Sequence, residues 1–484
     1  MEIEDAKANL TSTVKDILCK AKESNKNFEQ SPSRTSNANT LIIEEDSKDF
    51  KTAIENGGEV IRLNKEDSKS SGENDSFYDE VFYDVIPEEA FVVTEANAPS
   101  VEPEFRTALP VQRNKNKISF WVMLKDMIGK DLTKMSLPVY FNEPAGLLQR
   151  TAEAFENDYL LEKADKEKDP YLRLAYVAAF NASQYNGCLG RDMKPFNPLL
   201  GETFEYVTGS YKYFSEQVSH HPPISACHCE SNNYIVYFNT RVTNKFWGNC
   251  IEFRPLGRMN IHLKTINEDY VINRPSINGQ NIIFGKLYLD LSGESVAENI
   301  KTGDKCIIKF HTKGWSESSL GNMDGYVISK TGEKILKIEG KWCNSITAKN
   351  LRTGDIIPIW KKFPLPRDWE NYYCFTTHAL QLNYLPERLR KVLPYTDTRF
   401  RPDQRAYENG DIKLATQEKA RLEERQRATR REMEKKKITY KPVYFTLSIN
   451  PVTNDHDYIF NGKYWIDRGS SNWNHLQDIY GIKR

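Results

Sequence analysis

Two adjacent histidines followed by two prolines stand in the stretch Glu216-Gln-Val-Ser-His220-His221-Pro-Pro-Ile224. Imidazole N–H groups beside a basic residue can hold a phosphate by charge-assisted hydrogen bonds, and the prolines restrict where such a turn points. The same residues also suit a plain surface turn carrying two histidines. Cys227, His228 and Cys229 follow closely and raise a zinc reading. On an extended strand the two thiols share one face and His228 takes the other, and no second ligand pair stands at zinc-like spacing. No metal is expected. A second rigid segment, Lys194-Pro-Phe-Asn197-Pro-Leu-Leu-Gly201-Glu202, carries one cation and one amide on a loop limited by Pro and Gly. A third candidate is the spacing of Lys419, Glu423 and Arg427, four residues apart and so stacked along one helical face. It also fits salt-bridge support on a solvated helix. Arg430, Arg431, Lys435, Lys436 and Lys437 continue that helix with charge suited to an anionic membrane surface. Walker, GxSxG, HExxH and dinucleotide fingerprints are all missing from the text, so neither catalysis nor a cofactor is expected.

These residues must be positioned by elements of two kinds. Leu147, Leu148, Thr151, Ala152, Phe155 and Tyr159 recur on one helical face, and Asp169-Pro170 opens a further helix through Tyr185. The spacing predicts helices over about 145–186. From Phe204 the period changes to short alternating runs with Gly, Asn or Ser breaks, predicting an antiparallel meander over about 203–360 that closes or nearly closes into a barrel. So wide a barrel cannot be filled by its own side chains, so a ligand cavity or a helical plug is expected inside it. A charged helix over 412–437 and strand-like text from Tyr440 complete a C-terminal subdomain of about 361–484. Ile118, Phe120, Trp121, Val122, Met123 and Leu124 belong to an apolar helix over about 118–128. Apolar nearly all round, it must be covered on both sides, by the protein and by ligand or bilayer, although a packed core helix fits the pattern as well.

Residues 1–104 read differently. Between Leu41 and Ala90 there are 15 acidic and 5 basic residues, a balance of −10, with no lasting apolar period, so most of this arm is expected to be disordered. Over all 484 residues the 67 basic and 67 acidic side chains cancel, which argues against a general nucleic-acid binder. No apolar run approaches the roughly 20 residues of a membrane helix, and the eight scattered Cys suit a reducing compartment. A cytoplasmic protein with peripheral membrane contact is expected.

Read together, EQVSHHPP at 216–223, KPFNPLLGE at 194–202, FNEP at 141–144 and QEKARLEERQR at 417–427 resemble the oxysterol-binding protein family, in the family's order. The resemblance covers about 105–484 and looks like a short form without a pleckstrin-homology domain, most similar to the oxysterol-binding protein-related protein 1 and 2 group. It implies a mainly β fold: a large, incompletely closed antiparallel barrel around a lipid tunnel, with N-terminal helices, a lid and a C-terminal helical subdomain. It implies a lipid-transfer protein, not an enzyme, exchanging sterol and phosphatidylinositol 4-phosphate between membranes, endoplasmic reticulum included. A lipid sensor or scaffold is the alternative.

Matched motif by motif, the inositol phosphate head group would meet Lys194, Asn197, His220, His221, Lys419, Glu423 and Arg427. Glu423 would orient a lysine or accept from an inositol hydroxyl. Ile118, Trp121 and Leu124 would cover sterol from the lid. After the charged helix the chain departs from the family's Trp-containing text and reads Ile438-Thr-Tyr-Lys-Pro-Val-Tyr-Phe445. In the acidic arm, Phe82-Tyr83-Asp84 resembles the two-phenylalanines-in-an-acidic-tract (FFAT) motif that docks on receptors of the vesicle-associated-membrane-protein-associated (VAP) class. Val81 stands where that motif has an acid, and Phe77-Tyr78-Asp79 offers a second register.

Overall fold

The computed structural model describes residues 105–113, 138–282 and 285–482. The lid segment with Ile118, Trp121 and Leu124, the motif Phe82-Tyr83-Asp84 and the whole acidic arm over 1–104 lie outside the described residues.

A short strand, β1 (Asn142–Gly146), leads into α1 (Leu147–Ala152), a 3-10 stretch over Glu153–Asn157, and α2 (Tyr159–Lys166). The single helical face read across Leu147–Tyr159 is therefore broken in the middle. The reason is buried charge: Glu153 and Glu156 fall in that tighter stretch, and Glu153 turns to meet Arg191 at 2.8 Å. The helix α3 (Pro170–Ser183) starts where Asp169 accepts hydrogen bonds from the amides of Tyr171 and Leu172, with Pro170 in the first turn, where its missing N–H costs nothing. Its alanines at 175, 178, 179 and 182 are buried and allow close approach to the strands.

A short strand β2 (Lys194–Phe196) runs parallel to β1, with Asn142 opposite Lys194. The main sheet then begins with β3 (Thr203–Val207), β4 (Tyr211–His220), β5 (Pro223–Ser231) and β6 (Tyr234–Phe246). It continues through β7 (Cys250–Leu256), β8 (Arg258–Leu263), β9 (Glu268–Asn273), β10 (Ser276–Gln280) and β11 (Tyr288–Asn299). The last strands are β12 (Lys305–Phe310), β13 (Asn322–Ile328), β14 (Lys334–Lys341), β15 (Ser345–Asn350) and β16 (Ile356–Lys361). All pairings in it are antiparallel, and β3 and β16 at the two ends do not pair with each other. The ring of strands stays open. Its β3 edge is bridged instead by Asp397, and the amide of Thr203 donates to Thr396 O at 3.0 Å.

The sheet also forks. The first half of β6, Tyr234–Phe238, pairs with β8, and its second half, Arg241–Phe246, pairs with β7. On the far side β11 likewise divides its length between β10 and β9. Alternate residues, such as Tyr213 of β4, Cys227 of β5, Val236 of β6 and Ile261 of β8, join one core with Leu174, Val177 and Phe180 of α3. The helix α3 packs against β9 and β11 through β16, so one wall is plugged by helix.

The C-terminal part comprises α4 (Thr377–Leu382), α5 (Glu387–Arg390), α6 (Pro402–Glu408) and α7 (Ile412–Lys436), then the hairpin β17 (Phe445–Ile449) and β18 (His456–Phe460), and α8 (Lys463–Ser470). It covers the outer face of β4, where Phe214 stacks on Tyr464 at 3.9 Å between ring centroids. That cover explains why β4 is buried on both faces over Tyr213–Gln217 while β13, covered on one face, alternates. Among the described residues no helix is long and apolar enough to cross a membrane.

Candidate functional site

The position of Lys194 is set by the motif FNEP. Asn142 donates from Nδ2 to the carbonyls of Lys194 (3.3 Å) and Pro195 (3.1 Å), holding β2 beside β1. The next residue, Glu143, is buried against Arg191 Nη1 at 3.2 Å, and burial holds its carboxyl above the usual range. Beyond β2 the loop to β3 is tied from inside: Arg401 donates to Asn197 O (2.6 Å) and to Glu202 (3.1 Å), and Glu202 in turn accepts from the amide of Leu199 (3.0 Å). Gly201 has φ +79°, and a Cβ there would lie 2.9 Å from the Tyr440 hydroxyl, so glycine is required on both counts. The outcome is a Lys194 Nζ donating to Asn197 Oδ1 at 3.4 Å.

The histidine turn is anchored from the strand below it. Glu216 accepts from the amides of Val443 (2.9 Å) and Tyr444 (3.0 Å) and from the Tyr440 hydroxyl (3.1 Å). Gln217 accepts from Ser225 Oγ at 2.5 Å and donates to Ser219 O at 2.7 Å, across the bulge where β4 shifts register. His220 and His221 then close the end of β4, their rings 4.5 Å apart, with a cis peptide bond between His221 and Pro222.

Both pieces meet α7. Asp411 caps this helix by accepting from the amide of Leu414, and Ala415 and Leu422 bury its inner face. Gln426 contacts His220 Nε2 at 2.6 Å and accepts from the amide of Leu200 at 3.1 Å, so one side chain joins the histidine turn to the Lys194 loop. Arg430 Nη1 stands 3.0 Å from His221 Nε2. Lys419 donates to Glu423 at 2.5 Å, and Arg427 reaches Glu423 at 3.4 Å and Glu424 at 3.0 Å.

The electrostatics are those of a site short of negative charge. Desolvation, reinforced by the Lys419 ammonium, lowers Lys194 to about 8. Desolvation, with His221 and Arg430 nearby, lowers His220 to about 4, so this imidazole is neutral at pH 7. Cations held this close gain from a phosphate, whose oxygens accept several hydrogen bonds at once.

The family signature therefore sits on a constructed cationic rim. The sequence model described as "Oxysterol-binding protein" matches residues 119–469. The chain belongs to the oxysterol-binding protein family. It is 37% identical over 421 residues to mouse oxysterol-binding protein-related protein 1, covering 78% of this chain and 44% of that protein. Human related protein 6 matches at 39% over 366 residues, covering 74% and 39%. The oxysterol-binding protein homolog 1 of Saccharomyces cerevisiae matches at 38% over 411 residues, covering 78% and 34%. The chain thus spans less than half the length of these curated relatives. Among solved structures, the Osh1 ORD domain in complex with cholesterol superposes with TM-score 0.74 at 36% identity, covering 84% of this chain and all of that one. The Osh3 ORD in complex with PI(4)P from Saccharomyces cerevisiae superposes with TM-score 0.68 at 31% identity, covering 78% and 99%. The large, open antiparallel sheet expected from the family resemblance is the observed fold.

Of the seven residues matched to family motifs, Lys194 and Asn197 come together in one loop, and Lys419, Glu423 and Arg427 lie along α7. His220 and His221 join them through Gln426 and Arg430 instead of by direct contact. Arg427 lies at the flank, half exposed, engaged with two glutamates. Gln426 was missed from sequence, where the spacing of four picked out 419, 423 and 427. The inward face is better read as 415, 419, 422, 426, the spacing of a helix packed on a neighbour, and that signal was present in the text. The departing segment Ile438–Phe445 has its place too, since its Tyr440, Val443 and Tyr444 are the residues that Glu216 gathers.

Proposed function

We propose that this chain binds sterol and phosphatidylinositol 4-phosphate in the lumen of its open barrel and exchanges them between membranes, without a catalytic step. The observation that carries the reading is the meeting of Lys194, the histidine turn and α7 through Gln426 and Arg430 at one end of β4. Relatives of this fold hold cholesterol in one case and PI(4)P in another, which supports a lumen that accepts both lipid classes in turn. Lys194, Asn197, His220, His221, Lys419, Glu423 and Arg427 would take the head group. Glu423, already holding Lys419 and Arg427, would orient these two cations toward the head group. Mass spectrometry of lipids co-purifying with the full chain tests this directly. Recovery of both a sterol and a phosphoinositide is expected, and recovery of neither overturns it.

Residues 1–104 act in this reading as an acidic arm ahead of a lipid-binding domain over 105–484. Phe82-Tyr83-Asp84 would tether it to a VAP-class receptor on the endoplasmic reticulum, and the basic end of α7 would rest on anionic membrane surfaces. A pull-down in which Phe82→Ala binds the receptor as well as wild type removes that register. The segment 118–128 would shield sterol as a lid. Deleting residues 1–128 is then expected to impair sterol retention more than phosphoinositide binding, and an unchanged sterol transfer rate between liposomes removes the lid.

A further inference from the structure

At the fork in the sheet, β6 has lost β8 after Phe238 and not yet gained β7 at Arg241, so Asn239 has no strand partner on that side. Arg274, in the two-residue link between β9 and β10, fills the gap by donating from Nη2 to Asn239 O at 2.8 Å. That uses one of its five donors. Nε is enclosed with no partner, and the guanidinium lies over the Phe238 ring at 5.2 Å. The other polar groups near it are the Tyr185 hydroxyl and the Cys227 thiol, and desolvation lowers its pKa. Phe238, Tyr185 and Cys227 all belong to the core that the sheet shares with α3. Among the described residues no carboxylate pairs with Arg274. A half-buried guanidinium whose Nε is enclosed, and which faces one neutral carbonyl, lacks the acceptors that would offset its loss of water.

Depth decides what could supply them. Cys227 lies four residues inward from Pro223, at the histidine turn, which is about 13 Å along β5. A sterol offers a hydrocarbon frame and one neutral hydroxyl. A phosphoglyceride whose phosphorylated ring sits at the histidine turn carries a phosphodiester and two ester carbonyls behind that ring, all of them acceptors. Resting on the function proposed above, we infer that Arg274 is a specificity-determining residue of the lumen: it binds the phosphodiester and ester region of a phosphoglyceride and biases the barrel against sterol.

The test uses the full chain, liposomes containing phosphatidylinositol 4-phosphate, and a fluorescent sterol, with wild type, Arg274→Met and Arg274→Lys compared. Methionine keeps much of the volume and removes every donor; lysine keeps the charge alone. Phosphoinositide affinity is expected to fall about tenfold in Arg274→Met and less in Arg274→Lys, while sterol affinity holds or rises. Thermal unfolding reports the closure of the fork separately. An equal weakening of both lipids would show that Arg274 only seals the sheet, and an unchanged phosphoinositide affinity also overturns the inference. Wild type binding neither lipid would instead overturn the proposed function, and this inference with it.

Discussion

At the scale of single residues, the site is a set of bases held poor in protons. His220 at about 4 and Lys194 at about 8 both lie below their ordinary values of 6.5 and 10.5, each chiefly because of desolvation. The native state therefore binds fewer protons than the unfolded chain across each of those intervals, so stability rises with pH from about 4 to 6.5 and again from about 8 to 10.5. Ligand binding runs the other way. A phosphate favours the charged lysine, so binding above pH 8 must take up a proton, and affinity is expected to fall about fivefold from pH 8 to pH 9. Lys194→Arg should flatten that profile, because a guanidinium stays charged throughout; a wild-type affinity that is level over this range would separate Lys194 from the phosphate. Replacing His220 and His221 together by alanine is expected to weaken phosphoinositide binding by roughly 3 kcal/mol while sterol binding survives. Equal loss of both ligands with folding intact would make the pair structural. These side chains were legible because Lys, His and Arg in rigid, unusual text attract a chemical reading. Gln426 drew no chemical reading because it is a lone neutral amide, although its place on the inward face with 415, 419 and 422 was there in the text.

At the scale of elements, the motifs divide their labour in a way the text hides. FNEP contributes no group to the cationic rim; it fixes the strand that carries Lys194. Its Glu143 and the neighbouring Glu153 share Arg191, buried at 3.2 and 2.8 Å, with Arg150 close by at 3.7 and 3.6 Å. Removing one member of such a group leaves buried charge uncompensated. Arg191→Met is expected to cost about 3–5 kcal/mol in urea unfolding, and a loss under 1 kcal/mol would mean the carboxylates are already neutral. Gly201→Ala should destabilise the Lys194 loop and be partly relieved by Tyr440→Phe, which removes the hydroxyl it would strike; a neutral Gly201→Ala would contradict the strain assigned to φ +79°. Helices and strands as such were readable from period and breaks. The 3-10 interruption at Glu153–Asn157 was not, because the preference that breaks the helix belongs to Arg191, thirty-eight positions away.

At the scale of the whole molecule, an antiparallel meander was visible as alternation, but alternation is a property of each strand and says nothing of which neighbours a strand keeps. The fork of β6 and β11 and the unpaired ends β3 and β16 are decided between strands, so local text carried neither. The open seam has a mechanical meaning. A cylinder closed by hydrogen bonds has a girth set by its strand number and stagger, and changing it means breaking a ladder. Here the gap is spanned by packed helices and a lone bridge at Thr203, so the wall can widen by sliding surfaces past one another, at far smaller cost than unzipping strands. Hydrogen exchange should then show protection at β3 and β16 that differs between sterol-loaded and phosphoinositide-loaded protein, while β12 through β14 stay equally protected in both. Identical protection at the two ends would mean a rigid wall. A rigid four-ring lipid and a two-chained one have unlike cross-sections, and a vessel split along its length can be tailored to each, as a cuff is left unsewn to fit more than one wrist.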